Sequence, residues 1–238
     1  GFGWIRGGWI TSPEGDPPAF SEEEQGTDVM SSTELTITPP ADPVPSAELA
    51  ARFPGAIILP FDGIWPKIDA SCYVAPGAVV VGQVEIGPES SIWYGCVLRG
   101  DVNHIHIGRG TNLQDGTIVH VSRLAHPTLI GDDVTIGHRA MIHACTLMSG
   151  AFVGMSATVL DGAVVEGGAI VGAGALVGND KRVVTGELWG GVPAKKLRDL
   201  GEEGMPRLAA TARHYSGLAA SHQEIAREVL GAAVVPIS

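Results

Sequence analysis

The stretch LMSGAFVGMSATVLDGAVVEGGAIVGAGALV, Leu147–Val177, repeats one pattern every six residues. An amphipathic helix repeats its apolar residues every three or four positions and a half-buried strand every two, so a period of six fits neither. An aliphatic residue opens each hexad, and alanine follows four positions later. The aliphatic positions are Leu147, Val153, Val159, Val165, Val171 and Val177, and the alanines are Ala151, Ala157, Ala163, Ala169 and Ala175. This period predicts an all-β fold, a parallel β-helix of hexapeptide repeats in which three hexads make one triangular coil.

The same period extends upstream, with a shift of three residues near His104 and one interruption. Its aliphatic positions are Val74, Val80, Ile86, Ile92, Leu98, then Ile107, Leu113, Val119, then Ile130, Ile136 and Ile142. We expect these side chains to fill the interior of coils that stack about 4.8 Å apart. The segment VSRLAHPTL, Val121–Leu129, has no repeat, and we expect it to be extruded as a loop between two coils.

Two flanking segments lack the six-residue period. Residues 1–50 are rich in Pro, Ser, Thr, Glu and Gly, so we expect a disordered N-terminal extension, and Met30 within it is a candidate natural start. Residues 51–195 form the predicted β-helix domain. Residues 196–232 form a predicted C-terminal helix that packs on the coils, because apolar residues recur there every three or four positions. Those residues are Leu208, Ala212, Tyr215, Ala219, His222, Ile225, Ala226 and Val229.

Composition and charge exclude several classes of protein. The formal net charge is -11, but residues 1–50 carry nine acids and one base, which leaves 17 acids and 14 bases for the other residues. No basic stripe is present, so we expect no nucleic-acid partner. No apolar run approaches the length of a membrane span, so we expect no membrane partner, and no signal peptide is recognisable. Three separated cysteines without a CxxC pair favour a reducing compartment, so we expect a cytoplasmic protein.

The period places two histidines in equivalent positions. Ile107, Leu113 and Val119 form one coil, and Ile130, Ile136 and Ile142 form the next, so His120 and His143 lie on the same face, one coil apart. Two such imidazoles can share a metal ion, whose bonds to nitrogen are about 2.0 to 2.1 Å long. His138 follows Ile136 on the preceding face, and we expect it to reach such an ion only from a neighbouring subunit. The other histidines lack this register, and we expect them to be structural or exposed: His104, His106, His126, His214 and His222.

Three stretches resemble the gamma-class carbonic anhydrase family. They are VLRGDVNHIHIGRGTNLQDGTIVH (97–120), IGDDVTIGHRAMIHACTL (130–147) and LWGGVPAKKLR (188–198), and the resemblance extends from about Ile57 to the C-terminal helix. It implies a left-handed β-helix, a homotrimer, and one zinc ion per subunit interface, with Fe²⁺ or Co²⁺ as alternatives. The implied ligands are His120 and His143 of one chain and His138 of the next.

The resemblance also implies roles for four further residues. Arg99 and Asp101 are expected at the interface near the site, Gln114 is expected to orient a metal-bound water, and Asp115 is expected to steady the arginine. Three neutral imidazoles leave one coordination position for water, whose pKa falls to about 7. The resemblance implies carbon dioxide and bicarbonate as substrates, with this water as the group that attacks carbon dioxide.

The sequence departs from the family where protons are expected to leave the site. Val102 stands where the best-studied members of the family carry a glutamate, and the loop Val121–Leu129 contains no acid. His126 is the remaining candidate for a proton shuttle in that loop. Ala144 stands where many members have glycine. We therefore expect weak hydratase activity.

Two other function classes remain open at this point. A hexapeptide-repeat acyltransferase or thioesterase-like enzyme would use one histidine as a general base and bind coenzyme A between subunits. A non-catalytic, trimeric metal-binding assembly subunit would need no proton shuttle. Three histidines in metal-binding register favour the carbonic anhydrase, and metal analysis with hydration kinetics separates the three classes.

Overall fold

The computed structural model describes residues 46–123, 125–201 and 204–231. The predicted disorder of residues 1–50 and the hypothesis about Met30 lie outside this range, apart from residues 46–50. Those five residues belong to helix α1 (Ser46–Arg52), so the prediction of disorder is wrong there. Helix α1 is ordered by burial, because Leu49 and Phe53 join the same hydrophobic core as the β-helix.

Twenty strands follow α1 in the described residues. They are β1 (Ile57–Leu59), β2 (Lys67–Ile68), β3 (Tyr73–Val74), β4 (Val79–Ile86), β5 (Ser91–Ile92), β6 (Val97–Ile107), β7 (Asn112–Leu113), β8 (Ile118–His120), β9 (Thr128–Ile130), β10 (Thr135–Ile136), β11 (Met141–His143), β12 (Thr146–Leu147), β13 (Phe152–Val153), β14 (Thr158–Val159), β15 (Val164–Val165), β16 (Ile170–Val171), β17 (Leu176–Val177), β18 (Arg182–Val183), β19 (Glu187–Gly190) and β20 (Lys195–Asp199).

Parallel pairing of β1 to β19 builds a β-helix of about 7 turns with three faces, as the period predicts. The first face contains β1, the first halves of β4 and β6, then β8, β11, β14 and β17. The second contains β2, the second halves of β4 and β6, then β9, β12, β15 and β18. The third contains β3, β5, β7, β10, β13, β16 and β19.

Strands β4 and β6 each turn a corner, which joins the first two faces. The turn occurs at Gly82 and Gly100, where a Cβ atom on either residue would lie 2.4 Å from a backbone oxygen of the neighbouring coil. Only glycine permits so close an approach. These turns allow β6 to carry Arg99 and Asp101 on either side of one corner.

The interior is filled by the aliphatic positions of the repeat. Ile86, Leu98, Val119, Ile142 and Leu147 are all fully buried, and the alanines of the repeat are buried near the corners. Burying such an aliphatic side chain contributes about 1.5 to 3 kcal/mol. Burial of these stacked interior residues therefore stabilises the fold, and the alternation of each strand directs the adjacent side chain outward.

The C-terminal segment differs from the prediction at its start. Residues 195–199 form strand β20, which pairs antiparallel with β19, so the predicted helical boundary at residue 196 is wrong. Helix α2 (Gly204–Gly231) follows and packs against β3, β5, β7 and β10 of the third face. Ala219 is buried in the core, and Tyr215 contacts Trp93 edge to face at 5.4 Å. The helix therefore covers this face, as expected.

Two further observations bear on the protein's environment. Neither helix in the described parts of the chain is long and apolar enough to cross a membrane. Cys72, Cys96 and Cys145 are buried free thiols. Burial raises the pKa of each to about 12, which keeps the thiols protonated and unreactive at neutral pH.

Candidate metal centre

His120 and His143 form a pair on the first face. Each histidine follows a buried aliphatic residue, so the alternation of the strand directs its ring outward. The register of β8 and β11 places the two residues directly opposite each other. Their ring centroids are 5.2 Å apart, and His120 Nδ1 lies 3.2 Å from His143 Nε2. The structure thus has the stacked pair that the six-residue period predicts.

A carboxylate lies on the outer side of each ring. His120 Nε2 is 3.0 Å from Asp101 Oδ1, and His143 Nδ1 is 2.6 Å from Asp161 Oδ1. An ionised carboxylate offers only acceptors, so each outer ring nitrogen must carry a hydrogen and donate it. In neutral rings the two inner nitrogens, His120 Nδ1 and His143 Nε2, then carry no hydrogen, and their lone pairs face each other. Such an arrangement requires a cation or a proton between them.

The separation of the inner nitrogens fits a tetrahedral metal ion. Two nitrogen ligands of tetrahedral zinc, at about 2.0 to 2.1 Å from the ion, stand about 3.3 to 3.4 Å apart. The observed 3.2 Å is close to this value. His120 and His143 could therefore supply two ligands. Within the described residues, no group of three or more His, Cys, Asp or Glu side chains forms a complete site in a single chain.

His138 lies at another corner of the same coil. It follows β10 on the third face, and its Nδ1 lies 2.8 Å from Asp115 Oδ2. Asp115 occupies the matching corner of the preceding coil, since Leu113 pairs with Ile136. The carboxylate fixes the hydrogen on Nδ1 and leaves Nε2 as the nitrogen that could bind a metal ion. His138 and Asp115 are both partly exposed, which suits a ligand offered to a neighbouring chain.

Arg99 and Asp101 are held together beside the histidine pair. Arg99 Nη1 donates to Asp101 Oδ2, while Asp101 Oδ1 accepts from His120 Nε2 and from the backbone nitrogen of Val102. Burial alone would raise the pKa of Asp101, but the hydrogen bonds from His120 and Arg99 outweigh it and lower the pKa. Asp101 is therefore ionised at neutral pH and contacts a candidate ligand directly, in addition to its expected place at an interface.

The other two predicted residues lie apart from the pair within one chain. Gln114 is buried on the third face, where its Nε2 donates to Asn112 Oδ1 at 3.2 Å. Asp115 contacts His138, and its expected contact with an arginine stays a prediction that involves another subunit. The single chain therefore assembles Arg99, Asp101 and the histidine pair in one place.

Asp161 is the site residue that sequence reasoning missed. It follows β14, where Ile142 pairs with Val159; extending that register by one residue sets Leu160, not Asp161, opposite His143. The contact with His143 Nδ1 is therefore diagonal between coils. A period in the sequence identifies residues that stack, but it gives no signal for a side chain that reaches across the stack.

The departures from the family pattern lie around the pair. Val102, next to Asp101, is 41% exposed. In the loop between β8 and β9, His126 lies near the corner that carries Asp161, since a Cβ on Gly162 would lie 3.4 Å from His126 Nε2. Ala144 has a φ of 48°, in the left-handed region that favours glycine and costs other residues about 1 to 2 kcal/mol.

The chain is similar to carbonic anhydrases along most of the β-helix. It is 54% identical over 162 residues to gamma carbonic anhydrase 2, mitochondrial, of Arabidopsis thaliana, which covers 66% of this chain and 58% of that protein. It is 49% identical over 148 residues to a Methanocaldococcus jannaschii protein named "Probable carbonic anhydrase", which covers 62% of this chain and 92% of that protein. The chain spans 58% to 63% of the length of three Arabidopsis relatives.

A solved structure shares the fold. The hexapeptide transferase family protein from Anaplasma phagocytophilum is 46% identical and superposes with a TM-score of 0.67, over 69% of this chain and 97% of that one. A scan against protein-family models finds no match. The archaeal relative is matched over almost its whole length, and the plant relatives name the class. The chain therefore belongs to the gamma-class carbonic anhydrase family.

Proposed function

We propose that this protein is a metal-dependent carbonic anhydrase that catalyses the reversible hydration of carbon dioxide to bicarbonate. The observation that carries the proposal is the pair of inner nitrogens, His120 Nδ1 and His143 Nε2, at 3.2 Å on a face flanked by two carboxylates. Membership of the family supplies the reaction class.

The active unit in this proposal is a homotrimer with one metal ion at each interface. His120 and His143 supply two ligands, and the partner subunit's His138 supplies the third. The corner position of His138 and its pairing with Asp115 support this assignment. Zn²⁺ is the proposed ion, and Fe²⁺ and Co²⁺ are alternatives because imidazole ligands suit all three.

When bound by three imidazoles, the metal supplies a water activated near neutral pH, whose attack on carbon dioxide gives bicarbonate. The residues of the chain orient this reaction. Asp101 accepts the outer N–H of His120, which would leave His120 Nδ1 free to bind the metal. Arg99 balances the charge of Asp101, and Gln114, steadied by Asn112, orients the reacting water.

Proton release limits the proposed reaction. Neither Val102 nor the loop 121–129 offers a carboxylate, and His126 is the titratable side chain that the loop brings near the corner at Gly162. An imidazole that takes the proton there can hand it to buffer. Turnover is then slow at low buffer concentration and rises with an imidazole-type buffer.

The decisive experiment measures metal content and stopped-flow carbon dioxide hydration on one anaerobic preparation. A metal-loaded trimer that hydrates carbon dioxide supports the proposal. A metal-free trimer that transfers the acyl group of acyl-coenzyme A to an acceptor, with release of free coenzyme A, would favour the acyltransferase class; the Anaplasma structure is named a hexapeptide transferase. A metal-loaded trimer without hydration at any buffer concentration would favour an assembly subunit.

The proposed location is the cytoplasm. Three buried, unpaired cysteines support a reducing compartment. An Arabidopsis relative is named mitochondrial, so the mitochondrial matrix is the competing compartment. Cell fractionation followed by detection of the native protein distinguishes the two.

A further inference from the structure

Four polar side chains form one continuous row of contacts across neighbouring coils, along the first face and its adjoining corners. It runs from Asp101 Oδ1 to His120 at 3.0 Å, from His120 Nδ1 to His143 Nε2 at 3.2 Å, and from His143 Nδ1 to Asp161 Oδ1 at 2.6 Å. The two ends are carboxylates, and the two middle members are the proposed metal ligands. Each histidine is therefore fixed by one neighbour on its outer side.

We propose that Asp161 is a positioning residue for the metal site, which holds the hydrogen of His143 on Nδ1 and thereby keeps Nε2 bare and turned towards the ion. This inference rests on the proposed function. The 2.6 Å separation is that of a short, charge-assisted hydrogen bond, the strong kind for an imidazole and a carboxylate. A carboxylate behind a metal-bound histidine sets both the tautomer and the ring orientation.

The backbone around Asp161 is fixed from both sides. Gly162 N donates to Ala144 O at 2.8 Å in one neighbouring coil, and Asp161 O accepts from Asp180 N at 3.0 Å in the other. A Cβ on Gly162 would lie 2.1 Å from Asp180 Oδ1, so the corner is closely packed. Backbone hydrogen bonds and close packing therefore hold the Asp161 carboxylate in place. A residue that orients a metal ligand needs such a fixed position.

The Asp161 contact differs from the Asp101 contact in one respect. Asp101 also binds Arg99 and the backbone nitrogen of Val102, so its charge is shared among several partners. His143 Nδ1 is the side-chain partner that the structure gives Asp161. Removing the Asp161 carboxylate therefore acts on His143 directly and leaves the network of Arg99 in place.

The test compares Zn²⁺ affinity in wild type, Asp161→Asn and the control Asp133→Asn, by competition with a chromophoric chelator. The amide that Asp161→Asn introduces can accept from Nδ1 or donate to it, so it no longer fixes the tautomer of His143. We expect Zn²⁺ affinity to fall about 10- to 100-fold in Asp161→Asn. Asp133 is an exposed corner aspartate of another coil, and its replacement removes the same charge with no expected change.

Nitrogen-15 NMR of the histidine rings supplies a readout that activity does not. With metal removed from both proteins, His143 of the wild type should carry its hydrogen on Nδ1, whereas Asp161→Asn should show a mixture of tautomers. Unchanged affinity together with an unchanged tautomer in Asp161→Asn would overturn the inference. If that variant does not assemble as wild type does, the wild-type spectrum decides, since a hydrogen on His143 Nε2 in the metal-free protein overturns the inference too.

His143→Ala separates this inference from the proposed function. If His143→Ala binds Zn²⁺ as tightly as wild type, the proposed metal site itself is wrong. If His143→Ala loses the ion while Asp161→Asn keeps wild-type affinity, the site stands and only the role of Asp161 fails.

Discussion

The coils formed by residues 147–177 and those formed by residues 97–143 share one repeat but follow it with different strictness. In the first region every strand has two residues, with an interior aliphatic residue and a half-exposed neighbour. In the second, β6 has 11 residues, a loop leaves the stack, and histidines take outward positions. The repeat therefore fixes where each side chain lies. The candidate metal site is found where outward-facing residues depart from the repeat.

The largest effect is expected from removing a proposed metal ligand in the irregular region. We expect His143→Ala and His138→Ala each to lower Zn²⁺ affinity more than about 100-fold, because both remove a nitrogen bound to the ion. Metal titration of the purified trimers measures the loss. His214→Ala, at an exposed position of α2, is the control and should bind as wild type does.

Mixing the two histidine variants tests whether the site is shared. After subunit exchange, about a quarter of the interfaces in random trimers combine an intact pair with an intact His138. We expect that fraction of the metal sites to return. No recovery in trimers shown to have exchanged subunits would place all three ligands in one chain.

The regular coils should respond to a different kind of change. Leu147 is fully buried, so Leu147→Ala should lower the free energy of unfolding by about 2 to 5 kcal/mol. The outward-facing Val164→Ala should cost less than about 1 kcal/mol. Denaturant unfolding at fixed protein concentration measures both. A folded Leu147→Ala trimer with much weaker Zn²⁺ binding would contradict the separation between stability and chemistry.

Val102 and His126 lie near the candidate site and allow proton release to be tested. Val102→Glu should raise carbon dioxide hydration about tenfold at low buffer, because it adds a carboxylate beside Asp101, and should matter less at high imidazole buffer. His126→Ala should lower the low-buffer rate severalfold if His126 carries the proton. Stopped-flow rates over a buffer series measure both variants. An equal effect of Val102→Glu at every buffer concentration would exclude a role in proton transfer.

The smallest expected effect is on the backbone at Ala144. Its φ of 48° strains alanine, so Ala144→Gly should raise the free energy of unfolding by about 1 kcal/mol. Ala157→Gly, at a buried position outside the described positive-φ set, should lower it by about 0.5 to 1 kcal/mol. Thermal unfolding of both variants should therefore shift in opposite directions, and a shift of both in one direction would refute the strain at Ala144.

Sequence periodicity anticipates the coils, the interior residues, helix α2 and the stacking of His120 on His143, because each follows from a repeat in one dimension. It does not anticipate β20, whose five residues are exposed and are ordered by hydrogen bonds to β19 rather than by apolar burial. Helix α1 is too short to show a period and is fixed by Leu49 and Phe53. The period does not predict the contact of Asp161 with His143, because that contact depends on how far the side chain extends and not on the spacing of residues.

The loop between β8 and β9 has a consequence for how this scaffold can be redesigned. Thr128 closes the loop by donating from Oγ1 to His120 O and accepting from Ala144 N, so the chain re-enters the stack at a clamped point. Because this clamp holds the point of re-entry, we expect changes near His126 to leave the pairing of β8 with β11 in place. Loops taken from relatives could therefore be grafted here while His120 and His143 keep their positions. Such grafts would change turnover without changing the proposed metal ligands.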